Sequence, residues 1–130
     1  MKSVKTILLL FTLFSLVFAN AVIVEWKAEP ETNKIVLQWK TSQEDNVRKF
    51  VVERSTDNKT FTDIGEVIAR GAGYQYNFED SDLGKLKSIF YYRLRVVNID
   101  GSIQHTDSLP VIPNLSSISR TWGSIKALFR

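Results

Sequence analysis

The side chains in this sequence with chemistry to offer are few: one histidine, one group of carboxylates and a handful of tyrosines and tryptophans. His105 is the lone histidine. A metal site or a base–nucleophile pair needs further ligands or a partner beside it, so His105 reads as an exposed strand residue. Glu79, Asp80 and Asp82 gather near Asn77. A hard cation takes six to eight oxygens. These four side chains, ahead of Gly84-Lys85-Leu86-Lys87, fall short of that and read as a solvated turn. Trp26, Trp39, Tyr74 and Tyr76 would make a carbohydrate-stacking platform if several stood together on one exposed face. Tyr74 and Tyr76 share a face by alternation, and cross-strand packing is their expected use. Asn58-Lys59-Thr60 and Asn114-Leu115-Ser116 fit the glycosylation triplet, a pattern frequent by chance. No two titratable groups are spaced so that periodicity puts both in one pocket. The chain therefore reads as a non-enzyme, with no catalytic, cofactor-binding or metal-binding residue and no cofactor.

The N-terminus reads as an address. Lys2 and Lys5 precede an apolar run from Ile7 to Phe18, interrupted by Thr12 and Ser15, and Ala19-Asn20-Ala21 supplies small residues after it. This predicts a signal peptide over residues 1–21, cleaved after Ala21. The rival is an uncleaved anchor, but the run is shorter than the ~20 residues of a spanning helix. The expected location is exported: periplasmic, cell-surface or secreted. The chain has no cysteine. Lipid attachment through an N-terminal Cys is excluded, and the domain must stand on its core without a disulfide.

Residues after Ala21 suffice for one domain with a core of its own. The formal charge of +3 is unevenly placed. From Val22 to Asn114 there are 12 Lys and Arg against 14 Asp and Glu; from Leu115 onward there are three basic residues and no acid. A near-neutral body with a basic tail, in an exported chain, speaks against nucleic acid as a partner.

The elements come from period-two alternation. Val22–Ala28 predicts a first strand stopped by Pro30, and Lys34–Thr41 a second. Phe50–Ser55 is a third and Phe61–Ala69 a fourth, kinked at Gly65. Tyr74–Phe78 is a fifth, the run from Ile89 a sixth, and Ile103–Ile112 a seventh. Asp100-Gly101 closes the sixth as a hairpin. Leu37, Trp39, Val52, Tyr92, Leu94 and Val96 are the expected core; burying Trp39 would contribute about 3 kcal/mol. Seven short strands without intervening helices predict an all-β, seven-stranded antiparallel Greek-key sandwich.

Over residues 22–113 the chain resembles a fibronectin type III domain. Trp39 is placed like that family's core tryptophan, and Phe50-Val51-Val52 looks like its third strand. Leu83 resembles the loop leucine before the sixth strand. Phe90, Tyr92, Leu94, Val96, Asn98 and Gly101 match that strand and its closing turn. Trp39-Lys40-Thr41, Phe50–Ser55 with Phe61 and Ile64-Gly65, and Tyr91-Tyr92-Arg93-Leu94 are similar to variants in exported proteins of the Bacteroidetes and related bacteria. Two departures stand out. The family's corner tyrosine falls on Phe90, so either Tyr92 substitutes or the corner is apolar, and the proline of the preceding loop is missing. Arg70-Gly71-Ala72 has Ala where an integrin-type motif has its acid.

After Pro113 the period changes. Leu115, Ile118, Trp122, Ile125 and Phe129 stand three and four apart, on one face of a predicted helix over residues 114–130. Ser116 or Ser117 would cap it, and Arg120, Lys126 and Arg130 fall on other faces. A helix this short, with Gly123 in its middle, is marginal alone, so its apolar face needs a partner. Three are open: its own sandwich, a groove on another protein, or an anionic membrane held weakly and reversibly. The expectation is an interaction module that docks a protein partner through Ile118, Trp122, Ile125 and Phe129. A carbohydrate-binding accessory module or a membrane-surface protein is the alternative.

Overall fold

The computed structural model describes residues 21–84 and 88–115. The expected leader up to residue 20 and the expected helix beyond Leu115 lie outside the described residues, and with them Ile118, Arg120, Trp122, Ile125, Lys126, Phe129 and Arg130.

The described chain is all β, in two antiparallel sheets. β1 spans Ala21–Glu31, β2 Lys34–Glu44, β3 Val47–Ser55, β4 Thr62–Ile68, β5 Gln75–Asp80, β6 Phe90–Asn98, β7 Ile103–His105 and β8 Leu109–Val111. The smaller sheet has the order β1-β2-β5; the larger runs β4-β3-β6-β7, with β8 also on β6. The turns before β2, before β3 and before β4 each carry an asparagine at positive φ: Asn33, Asn46 and Asn58. Asparagine tolerates this left-handed region where most side chains do not.

Three boundaries depart from the alternation. Pro30 does not stop β1, and pairs across from Ile35. β1 is an edge strand, where a missing N–H need not cost a ladder bond. The seventh strand is two strands, β7 and β8. Thr106 donates its N–H to Leu94 O at 3.0 Å and takes the Leu94 N–H on its hydroxyl at 2.9 Å. The hydroxyl thus replaces a backbone carbonyl, and the chain leaves the ladder until Leu109. Ala21, at the expected cleavage position, is the first residue of β1 and only 5% exposed.

The kink at Gly65 is a bulge. Val52 faces Gly65 and Glu53 faces Asp63, which leaves Ile64 as the extra residue. The site also needs glycine for space: a Cβ there would lie 2.5 Å from the Phe78 ring of β5. Phe78 closes the open side of the sandwich on that spot.

Between the sheets, Leu37, Trp39, Val52, Tyr92, Leu94 and Val96 are fully buried, with Ile35 and Phe50. Trp39 stacks on Tyr76 with centroids 5.2 Å apart and meets Phe50 edge-on at 5.8 Å. A polar tie joins the sheets at one end. Asp80 of β5 accepts the Tyr92 hydroxyl at 2.6 Å and the Arg54 guanidinium at 2.8 Å. Tyr92 thereby makes the hydroxyl bond that Phe90 cannot. Phe90 lies under Arg54 instead, 5.0 Å from ring centre to guanidinium. Burial, then the hydrogen bond to Asp80, holds the Tyr92 phenol well above its usual range.

The described chain ends by closing this same end. Thr32 and Asn114 form a parallel bridge, and the Asn33 N–H donates to Asn114 O at 2.8 Å. Leu115 is 5% exposed and belongs to the core. It was expected on the apolar face of the terminal helix; the structure gives it to the sandwich.

Candidate functional site

The outer face of the larger sheet carries most of the charged chemistry. Alternation on β3 and β6 turns Lys49, Val51, Glu53 and Ser55, with Tyr91, Arg93, Arg95 and Val97, away from the core. Glu53 sits in the middle with its side chain only 5% exposed. It accepts Arg93 Nε at 2.7 Å and Arg95 Nη1 at 2.9 Å. Arg95 also holds Asp63 of β4 through two 3.0 Å bonds. That bidentate bond holds the Asp63 carboxyl below its usual range and raises Arg95 in turn. Lys49 pairs with Glu66 at 2.8 Å. Arg93 lies over the Phe61 ring at 3.9 Å, and Val51 is sealed beneath, 3% exposed.

This array is satisfied within itself. A buried carboxylate with two arginines is costly to break, and Asp63 and Glu66 are each paired as well. His105, expected exposed on its strand, stands 3.6 Å from Glu53 with a 42% exposed side chain.

Toward the Tyr92–Asp80 end the same face changes character. Tyr91 pairs with Pro110 on β8 and with Ser55 on β3. Phe61 immediately precedes Thr62, the partner of Arg54, so it extends this row past Ser55. One step further out, Ile89 and Ile112 flank the paired Phe90 and Val111. They are 44% and 72% exposed. An ionic array and an apolar row thus divide one sheet face.

The carboxylates of the expected turn are not gathered. Asp80 is buried in the tie to Arg54 and Tyr92, Glu79 pairs with Lys34 at 3.2 Å, and Asp82 offers its backbone carbonyl to Arg54 at 2.8 Å. No group of three metal-ligating side chains occurs among the described residues.

The tyrosine platform does not form. Tyr76 is 1% exposed, and its ring meets the half-exposed Tyr74 at 63°. Arg70 covers Tyr74 at 5.4 Å. The Tyr76 hydroxyl donates to Glu44 at 2.9 Å and accepts the Arg70 N–H at 2.7 Å. Burial first, and Glu44 after it, pushes this phenol up to about 12. Glu44 in turn accepts the Gly71 N–H and the Thr41 hydroxyl. It is the clamp for the loop after β4, a role no sequence pattern marks. The outer face of the smaller sheet is polar, with Lys27, Gln38 and Asn77 in one cross-strand row.

A cleft of about 450 Å³ lies between the edge of β1 and the break between β7 and β8. Ile23 and Trp26 form one wall, and Gln104, His105, Thr106 and Asp107 the other. Trp26 Nε1 donates across it to Asp107 O at 3.0 Å. No helix among the described residues is long and apolar enough to cross a membrane.

No family model and no curated protein matches the chain. Among solved structures it is similar to a pectate lyase from Erwinia chrysanthemi in complex with tetragalacturonic acid, with a TM-score of 0.56 and 18% identity, over 72% of this chain and 28% of that one. It is also similar to a pectate lyase from Pectobacterium carotovorum, with a TM-score of 0.53 and 20% identity, over 72% of this chain and 27% of that one. The chain spans little more than a quarter of either enzyme, and at these identities the likeness is one of fold.

Proposed function

We propose that this chain is an exported, non-enzymatic interaction module: a fibronectin type III-like sandwich whose C-terminal segment docks a protein partner. The strand orders β1-β2-β5 and β4-β3-β6-β7 support the Greek-key reading, with β7 and β8 as one interrupted seventh strand. The internally paired charges around Glu53 support a non-enzymatic role.

One observation carries the docking reading. Leu115 completes the core of the described sandwich, and directly after it the sequence changes to helical spacing. The segment after Leu115 therefore has its own apolar face to cover. Ile118, Trp122, Ile125 and Phe129 are the anchors, and Arg120, Lys126 and Arg130 flank them. The test is capture with the purified chain in a cell-envelope extract, wild type against a Trp122→Ala/Phe129→Ala variant. A partner whose capture depends on both residues supports the reading; identical capture profiles, with unchanged binding to anionic vesicles, end it.

A second reading draws on the Trp26 cleft. A ring beside Gln104, His105 and Asp107 offers a sugar an apolar face with hydrogen-bonding groups around it. One of the similar solved structures holds tetragalacturonic acid, and that oligosaccharide is the probe to titrate. Quenching of Trp26 fluorescence, lost in Trp26→Phe, would favour a carbohydrate-binding accessory module over protein docking.

A further inference from the structure

We infer that the apolar row on the outer face of the larger sheet is the seat of the chain's own C-terminal segment. The seat consists of Phe61, Tyr91, Pro110, Ile89 and Ile112, with the small Ser55 between Phe61 and Tyr91. The occupant is the apolar face of Ile118, Trp122, Ile125 and Phe129. The inference rests on the reading of that segment as a docking helix, and it names where the helix lies when no partner holds it.

Position supports this occupant. Leu115 is fixed beside the turn between β1 and β2, at the same end of the sandwich as the row. Ile112, 72% exposed, is three residues upstream of Leu115. Size agrees as well. The row crosses β8, β6 and β3 to the start of β4, three interstrand steps or about 14 Å. A helix from Ile118 to Phe129 is about 17 Å long. Arg93 already lies over Phe61, so the open part of the row is Ile89 and Ile112, and covering exposed isoleucines is favourable in proportion to the area removed from water.

Charge sets the orientation. The ionic array around Glu53 adjoins the row on this face, so a helix running along the strands would lay apolar side chains on paired charges. One lying across the strands stays on the row. Asp57, in the turn between β3 and β4, stands at the Phe61 end of the row. There the last basic residue, Arg130, would meet it.

The absence of cysteine from the chain makes the test clean. Phe61→Cys is combined with Phe129→Cys in the full chain. The control combines Ile68→Cys with Phe129→Cys; Ile68 is 74% exposed, on β4 at the far end of the same sheet face. Under mild oxidation the first pair should close an intramolecular disulfide at least about tenfold faster than the control, because a seated segment has a high effective concentration at one place only. Equal rates, or a disulfide found only between two chains, would overturn the seat. As a second measurement, Ile112→Asp should raise amide exchange of residues 118–129 without lowering the melting temperature; unchanged exchange would count against it. Capture by an external partner tests a different contact, so either reading can fail without the other.

Discussion

The Tyr92 hydroxyl lies 2.6 Å from Asp80 Oδ2 and joins the two sheets across the core. Tyr92 belongs to the larger sheet and Asp80 to the smaller. Arg54 shares the carboxylate at 2.8 Å and continues to the carbonyl of Asp82. Tyr92 and Asp80 therefore fix the facing of the sheets, and Arg54 fixes the start of the loop after β5. Tyr92→Phe keeps the ring and leaves a buried carboxylate short of one donor. The expected cost is about 1–3 kcal/mol, read as a lower urea midpoint with an unchanged slope. A midpoint equal to wild type would mean that Arg54 alone satisfies Asp80.

Gly65 and Phe78 form the second inter-sheet closure. A Cβ on Gly65 would sit 2.5 Å from the ring, and the bulge at Ile64 leaves β4 little room to retreat. Gly65→Ala should destabilise by about 1–3 kcal/mol. In a Phe78→Leu background the same substitution should cost less, with the coupling measured by a double-mutant cycle. Strict additivity would show that β4 moves instead of the ring.

Titration at both ends of the pH scale has a fixed sign. Asp57 is held at about 2, below its ordinary 3.8, chiefly by the N–H groups of Thr60 and Lys59 and by the Ser55 hydroxyl. A depressed folded value stabilises above the unfolded value and loses that stabilisation as pH falls through the folded one. Acid unfolding of wild type should therefore steepen between about pH 4 and 2, and Asp57→Asn should flatten that limb. Tyr76 behaves oppositely. Its phenol, ordinarily near 10, is pushed up to about 12, so its contribution is complete below pH 10 and disappears between about 10 and 12. Tyr92 is raised as well, so Tyr76→Phe should shrink that alkaline slope without abolishing it; a slope unchanged from wild type would assign the loss to other groups.

Glu53 tests whether the ionic array is structural. Glu53→Gln leaves Arg93 and Arg95 facing a neutral amide in place of a carboxylate that is 5% exposed. Breaking one side of such a group costs about 3–5 kcal/mol when fully buried, and less here because both arginines reach solvent. The melting temperature should fall, and the fall should shrink in Glu53→Gln/Arg95→Leu. Equal losses in the two variants would show that the carboxylate, and not its pairing, matters.

The sandwich was legible where one residue in two faces the core. β2 and β6 alternate strictly, and all six residues expected in the core are fully buried. Local chemistry defeated the boundaries: Pro30 sits on an edge strand, and the Thr106 hydroxyl interrupts the last strand by taking a backbone donor. The site was less legible, because its groups meet only through register. Nothing near Glu53 in sequence marks it as buried under two arginines forty residues away. Tyr74 and Tyr76 do meet, with ring centroids 4.8 Å apart, but Tyr76 is buried and only Tyr74 reaches the surface. Leu115 fits helical spacing and core packing equally well; the bridge between Thr32 and Asn114 decides it.

Limited proteolysis with trypsin tests the central claim, that the segment after Leu115 is a docking element seated on the sandwich. Trypsin cuts after Arg120 and Lys126, and the cleavage rates are to be followed by mass in wild type and in Ile112→Asp. Cleavage at both bonds should be slow in wild type without any added membrane, and fast in the variant while the sandwich stays folded. Fast cleavage in both proteins, at equal rates, would contradict it.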